Sequence, residues 1–268
     1  MLVFAAAGSG AVAAAPETRL VLVGGGARPP EAMARFVEWA GGPRARVLVV
    51  PWASGEPKES CDALLKDLEP QRPAAVECGP APVLDGDGRV AAPLEPGQAR
   101  AFLAALEQAS GVFFTGGDQA RVMDVLKDAA LLSALRSRFA DGVVFGGTSA
   151  GTAIMSKTMI TGDGDFTVID AAKVGVRPGL GLLEGVIVDQ HFVRRQRQNR
   201  LFGLVLASPG ERGAGIDEDT ALLVRNGRQA EVVGAGVVVL VDAAGRDRLS
   251  LTLVRPGVRF DLRARPRG

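Results

Sequence analysis

The sequence predicts an α/β protein with a doubly wound, mostly parallel sheet, helices on both faces, and antiparallel C-terminal strands that extend the sheet. Three observations predict it. Short apolar runs are continuous rather than alternating, as in strands buried on both faces. Helix-compatible stretches separate them, as in βαβ units. In the last third the helical stretches give way to short strands punctuated by turn signals such as Asn226-Gly227 and Ala244-Gly245.

The elements follow in order. Arg19 to Val23 reads as a buried strand, followed by Gly24 to Gly26 and a helix near Pro30 to Ala40. Arg46 to Pro51 is a second strand, Pro57 to Leu68 a helix, and Ala74 to Cys78 a weaker strand. Asp85 to Gly97 is polar and rich in Gly and Pro, hence a surface loop. Gln98 to Gln108 is helical. Strand Val112 to Phe114, helices Asp118 to Lys127 and Leu131 to Phe139, strand Val143 to Phe145 and a helix from about Ser149 come next. Val186 to Val188 is a further strand, and Ala221 to Val224, Ala230 to Val233, Val237 to Val241 and Ser250 to Val254 are the short C-terminal ones. Residues 18–268 read as one catalytic-size domain, with 1–17 as a tail. Residues 2–15 fit either a signal remnant, with Ala13-Ala14-Ala15 before Pro16, or an Ala/Gly-rich tail. Secretion or a periplasmic location follows from the first reading and a cytoplasmic one from the second.

Composition narrows the chemistry. The 268 residues are 47% apolar, enough for a sizeable core. A net charge of +1 gives no global positive field to attract nucleic acid. No segment has the unbroken apolar length of a membrane span. The chain has one histidine, His191, and two cysteines, Cys61 and Cys78. That set is too small for an ordinary zinc site, so no metal is expected. The cysteines read as packing residues; a disulfide between them does not follow from sequence.

Gly147-Thr148-Ser149-Ala150-Gly151 fits the Gly-x-Ser-x-Gly nucleophile elbow between an apolar strand and a helix-compatible stretch. The bland alternative is a phosphate-cradling turn or a tight strand–helix connection. A serine nucleophile needs a base, and His191 is the one histidine. It follows a strand, on the expected rim of Ser149, with polar flanks that are odd for a core residue. Glu218, in Gly215-Ile216-Asp217-Glu218-Asp219, is the candidate orienting acid, with Asp217 and Asp219 as competitors. The order Ser, His, acid differs from the Ser, acid, His of α/β-hydrolases. Phe113-Phe114-Thr115-Gly116-Gly117-Asp118-Gln119 ends a strand in glycines. The N–H groups of Gly117 and Ala150 are the candidate oxyanion donors, and Asp118 is a candidate helix cap.

Together these segments resemble the cyanophycinase and peptidase E family of serine peptidases, and within it the cyanophycinases. The resemblance rests on Phe-Thr-Gly-Gly-Asp-Gln (114–119), Gly-Gly-Thr-Ser-Ala-Gly (146–151), Asp-Gln-His-Phe with Arg-x-Arg-x-x-Arg-Leu (189–201) and Gly-Ile-Asp-Glu-x-Thr-Ala (215–221), in the family's order. It implies a class I glutamine amidotransferase-like fold, a Ser149–His191–Glu218 triad and no cofactor. It implies an Asp- and Arg-containing peptide substrate, cyanophycin cut to β-Asp-Arg dipeptides, and leaves a homodimer open. It also implies a substrate pocket from Gln119, Asp189, Gln190, Arg195, Arg197 and Arg200: Asp189 for a guanidinium, the arginines for carboxylates. Without the resemblance, the arginines read as a solvated helix face. Thr152 stands where the family more often has Ala. The alternatives are a peptidase E-like dipeptidase, for which the Asp-Gln-His-Phe and triple-Arg run is unexpected, and a non-enzymatic small-molecule-binding module.

Overall fold

A computed structural model describes residues 15–265; the tail reading of residues 1–14 lies outside the described residues. In order come β1 (Arg19–Val23), α1 (Pro30–Trp39), β2 (Arg46–Val50), α2 (Pro57–Leu68), β3 (Ala75–Cys78), β4 (Val83–Leu84), β5 (Val90–Ala92), α3 (Pro96–Gln108), β6 (Gly111–Phe114), α4 (Gln119–Val125), α5 (Ala129–Ala140), β7 (Val144–Thr148) and α6 (Ala150–Ala153). There follow β8 (Thr158–Gly164), β9 (Val174–Pro178), β10 (Val186–Gln190), α7 (Gln198–Ala207), β11 (Arg212–Ile216), β12 (Thr220–Arg225), β13 (Gln229–Gly234), β14 (Val238–Ala243), β15 (Leu249–Val254) and β16 (Arg259–Asp261).

The main sheet has the order β16-β13-β12-β1-β7-β6-β2-β3. Strands β1, β7, β6, β2 and β3 run parallel, and β12, β13 and β16 extend the sheet antiparallel from β1. Period-two geometry turns successive residues to opposite faces. Leu20, Leu22, Leu48 and Val50 therefore face one core with Phe102, Leu106 and Leu135, from α3 and α5. Val21, Val23, Val47 and Val49 face another with Phe36, Val37, Leu64 and Leu68, from α1 and α2. Burial on both faces is why these strands read as continuous apolar runs.

The predicted extension is correct for β12 and β13 but not for β14 and β15. Those two pair with β10 and β11 in a second sheet of order β10-β11-β14-β15. Val186, Val188, Ala214, Ile216, Val238 and Leu240 of that sheet pack into the same core as Leu20 and Phe145. The hairpin β8–β9 has no counterpart in the sequence reading, because Thr161-Gly162-Asp163-Gly164 carries turn residues inside a strand. The polar loop expected over 85–97 holds a small hairpin, β4–β5. The helix expected from Ser149 is a single turn, α6.

Cys61 and Cys78 are joined by a disulfide, correcting their reading as free packing residues. Cys61 lies on the buried stripe of α2 with Leu64 and Leu68, which puts it over the end of β3. A bridge with a sequence separation of 17 stabilises by about 3 kcal/mol in a chain-entropy account. It pins the first half of α2 to the edge of the main sheet.

Two buried ion pairs brace the second sheet. Arg212 on β11 forks onto Asp242 of β14 at 2.9 and 2.6 Å and donates to the Leu262 carbonyl at 2.7 Å. Arg200 on α7 forks onto Asp189 of β10, its Nε 2.7 Å from Oδ2 and its Nη2 on Oδ1. Their side chains are 2% and 1% exposed. This corrects the expectation that Asp189 awaits a substrate guanidinium and Arg200 a substrate carboxylate: each already holds the other. Phe166 stacks on the Arg200 guanidinium, 4.9 Å from its ring centroid. Removing one partner strands a buried charge, whereas removing both does not. Arg200→Met is therefore expected to lose about 3–5 kcal/mol in urea unfolding, and the double variant with Asp189→Leu clearly less. A single-variant loss below about 1 kcal/mol contradicts a structural pair.

Candidate active site

Three successive carbonyls at the exit of β1 organise the site. Val23 C=O accepts the Ser149 N–H at 3.0 Å, Gly24 C=O the His191 N–H at 2.7 Å, and Gly25 C=O the Asp219 N–H at 2.9 Å. Three remote chain segments, leaving β7, β10 and β11, thus converge on one loop. His191 leaves the second sheet rather than the rim of the main one, so its approach to Ser149 is a contact between sheets.

Ser149 has φ 51° and ψ −112°, a strained conformation for a residue with a side chain. The surroundings impose it. A Cβ at Gly151 would stand 2.3 Å from the Phe114 carbonyl oxygen, and one at Gly147 2.2 Å from that of Gly151. The Thr152 hydroxyl, fully buried, lies 2.7 Å from both the Val23 and Gly147 carbonyls. It ties the elbow to β1, a bond that alanine at this position cannot make. His191 also has positive φ, 49°. Its ring lies over Gly25, where a Cβ would be 2.2 Å from Cε1. Gly25 belongs to the glycine run read only as a strand exit, and the ring above it was not legible in the spacing.

His191 Nε2 is 2.8 Å from Ser149 Oγ, and Nδ1 is 2.5 Å from Glu218 Oε1. The competing acids are otherwise engaged. Asp217 accepts the Val193 and Arg194 N–H groups at 3.1 and 2.9 Å, and Asp219 accepts that of Ala27 at 2.6 Å. Burial holds the His191 pKa below its ordinary value, with the Arg195 and Arg197 charges adding to the drop and Glu218 opposing it. The bond from His191 is the main reason that the Glu218 carboxyl sits below its usual range, despite some opposing desolvation. A Glu218 carboxylate beside a neutral, hydrogen-bonded imidazole is the resting state these shifts favour.

A cavity of about 350 Å3 opens beside Ser149 and His191. Its walls include Gly25, Gly26, Arg28, Glu59, Ser60, Thr115, Gly116 and Thr148. Of the expected oxyanion donors, Ala150 is the first residue of α6, so its N–H has no intrahelical acceptor. Gly117 packs its Cα against the Ala53 carbonyl, leaving Gly116 on the cavity wall. Among the described residues the Gly117 N–H has no backbone acceptor. Asp118 caps α4 through the Ala120 N–H, as expected.

The expected pocket residues divide. Gln119 is a correction: it is 6% exposed and its amide donates to the Ile160 carbonyl at 2.9 Å, tying α4 to β8 rather than facing the cavity. Gln190 Oε1 lies 3.4 Å from Ser149 Oγ and accepts from Arg197 Nη1 at 2.6 Å, which orients the amide. Burial and the nearby Arg200 charge bring the Arg197 pKa down to about 10. Arg195 is exposed, its Nε 3.8 Å from Glu218 Oε1. The solvated-helix reading of the arginines fails for Arg200 and Arg197, which are directed inward. Sequence reasoning missed Arg28, Glu59 and Ser60, which come from segments with no motif of their own.

Among known proteins, residues 93–232 match the family model "Peptidase family S51". The cyanophycinase of Trichormus variabilis is 38% identical over 227 residues, covering 83% of this chain and 73% of the relative. That of Geminocystis herdmanii is 36% identical over 227 residues, covering 83% and 80%. A crystal structure of a peptidase from an acI-B1 Actinobacterium has TM-score 0.67 at 20% identity, covering 91% of this chain and 97% of the other. That of a putative peptidase E protein from Listeria monocytogenes has TM-score 0.57 at 17% identity, covering 82% and 100%. The two structures share the fold. The family match and the sequence relatives, falling on the stretch that carries the elbow, His191 and Glu218, make this chain a serine-type peptidase of family S51.

Proposed function

We propose that this chain hydrolyses cyanophycin, releasing β-Asp-Arg dipeptides, with Ser149, His191 and Glu218 as its triad. The carrying observation is the continuous hydrogen-bond chain from Ser149 Oγ through His191 to Glu218, at 2.8 and 2.5 Å. The cyanophycinase relatives support the substrate.

Ser149 Oγ attacks the main-chain carbonyl carbon while His191 Nε2 takes its proton. The negative charge on the carbonyl oxygen meets the N–H groups of Ala150 and Gly117. Collapse of the tetrahedral intermediate breaks the C–N bond, and His191 returns the proton to the leaving amine. Water then attacks the acyl-enzyme, losing its proton to His191; the acyl C–Oγ bond breaks, and His191 passes that proton to Ser149 Oγ, regenerating the serine. Glu218 holds Nδ1–H and so fixes the tautomer whose Nε2 is free to accept. Arg197 keeps the Gln190 amide oriented beside the nucleophile. Arg195, exposed beside Glu218, can contact a substrate carboxylate.

Incubation with purified cyanophycin should yield β-Asp-Arg by mass spectrometry, and Ser149→Ala should lower its rate by about four to six orders of magnitude with unfolding unchanged. Unaltered release by that variant contradicts the mechanism; intact polymer with a wild-type enzyme that cleaves other aspartyl peptides favours a dipeptidase.

The pH profile carries a sign. The base must be neutral, so activity is lost as pH falls through the His191 pKa. Because burial lowers that pKa, the acid limb of kcat/KM should lie below about pH 6.5. Glu218→Gln removes the influence that raises it, so the limb should move to lower pH while kcat falls by about 10³ to 10⁴. A limb above the ordinary imidazole value, or one moving upward in the variant, contradicts the assignment.

A further inference from the structure

The cavity beside Ser149 carries few permanent charges. Among its lining residues only Arg28 and Glu59 are charged at neutral pH apart from any protonated fraction of His191. Arg28 is already compensated, its Nε held by Asp67 of α2. Glu59 is not. It is exposed in the first turn of α2, and among the described residues its carboxylate takes part in no ion pair or side-chain hydrogen bond. A first-turn acid stabilises a helix by interaction with its dipole, but this one is not spent on capping. The neighbouring residues are placed by other contacts: Ser60 Oγ is 2.6 Å from Ser54 Oγ, and Cys61 is tied to β3 by the disulfide. Helix α2 therefore presents Glu59, without a hydrogen-bonded or ion-paired partner among the described residues, on the wall of the cavity beside Ser149.

The acid expected to read a substrate guanidinium, Asp189, is buried against Arg200. An arginine-bearing substrate entering this cavity needs another anion, because a guanidinium moved from water into a cleft must keep charge-assisted partners. We infer that Glu59 is the specificity-determining residue that receives the arginine guanidinium of the substrate, a carboxylate facing the planar fork in the bidentate manner. The assignment rests on the proposed cyanophycin activity. Glu59 acts by binding and takes no proton or bond in the reaction.

The test compares wild type and Glu59→Gln on two soluble oligomers, one of β-Asp-Arg units and one with citrulline, the uncharged isostere, in place of arginine. The wild type should prefer the arginine oligomer. Glu59→Gln should raise KM for it by roughly tenfold to a hundredfold, the worth of hydrogen bonds to a charged group, with kcat changed far less. Its KM for the citrulline oligomer should stay near the wild-type value. A variant that keeps the wild-type preference overturns the assignment, as does an equal loss on both oligomers. A wild type that cleaves neither overturns the proposed activity itself, and Glu59 with it.

Discussion

The site depends on the exit of β1. Three consecutive carbonyls, of Val23, Gly24 and Gly25, accept backbone N–H groups from Ser149, His191 and Asp219. Each bond is worth only about 1 kcal/mol net, yet together they bring loops from two sheets into one register. Side chains on those loops then meet within hydrogen-bond distance without a flexible linker between them. The strain at Ser149 and His191, both at positive φ, persists because the glycines around them leave no room for a relaxed alternative. The core packed between the sheets supports this loop from below, since β1 lies at its centre through Leu20 and Leu22.

Beneath the relay lies a second set of polar contacts. Asp189 and Arg200 neutralise each other out of water, and Arg197 holds the Gln190 amide. Burial there keeps His191 below its ordinary pKa, with the nearby Arg195 and Arg197 charges helping and Glu218 opposing. Acids close in space thus serve different ends: Glu218 touches the imidazole, Asp189 braces β10 against α7, and Asp217 and Asp219, on the same loop as Glu218, hold backbone. Helix α2 contributes Glu59 and Ser60 to the cavity wall, and Glu59 has no hydrogen-bonded or ion-paired partner there among the described residues.

Much of this was legible in the sequence. Continuous apolar runs place β1, β2, β6 and β7, because strands buried on both faces carry apolar residues at successive positions. The elbow is legible because only glycine tolerates the contacts at positions 147 and 151. The single histidine singles out His191 as the candidate base by scarcity. What was not legible depends on distant partners. Strand β11, Arg212-Gly213-Ala214-Gly215-Ile216, is too glycine-rich to announce itself and is stabilised by pairing with β10 and β14. The Asp189–Arg200 pair has an open, substrate-like spacing in sequence, and only the packing of α7 on β10 closes it. Cys61 and Cys78 become a disulfide because α2 folds back over the end of β3, and Glu59, two residues before Cys61 on α2, lines the cavity.

The most direct measurement is labelling by a fluorophosphonate probe, with the modified residue located by mass spectrometry in the wild type and in His191→Ala. The account predicts a single adduct on Ser149, formed at least about a thousandfold more slowly when the imidazole is gone. An adduct on another residue, or an undiminished rate in the variant, contradicts it.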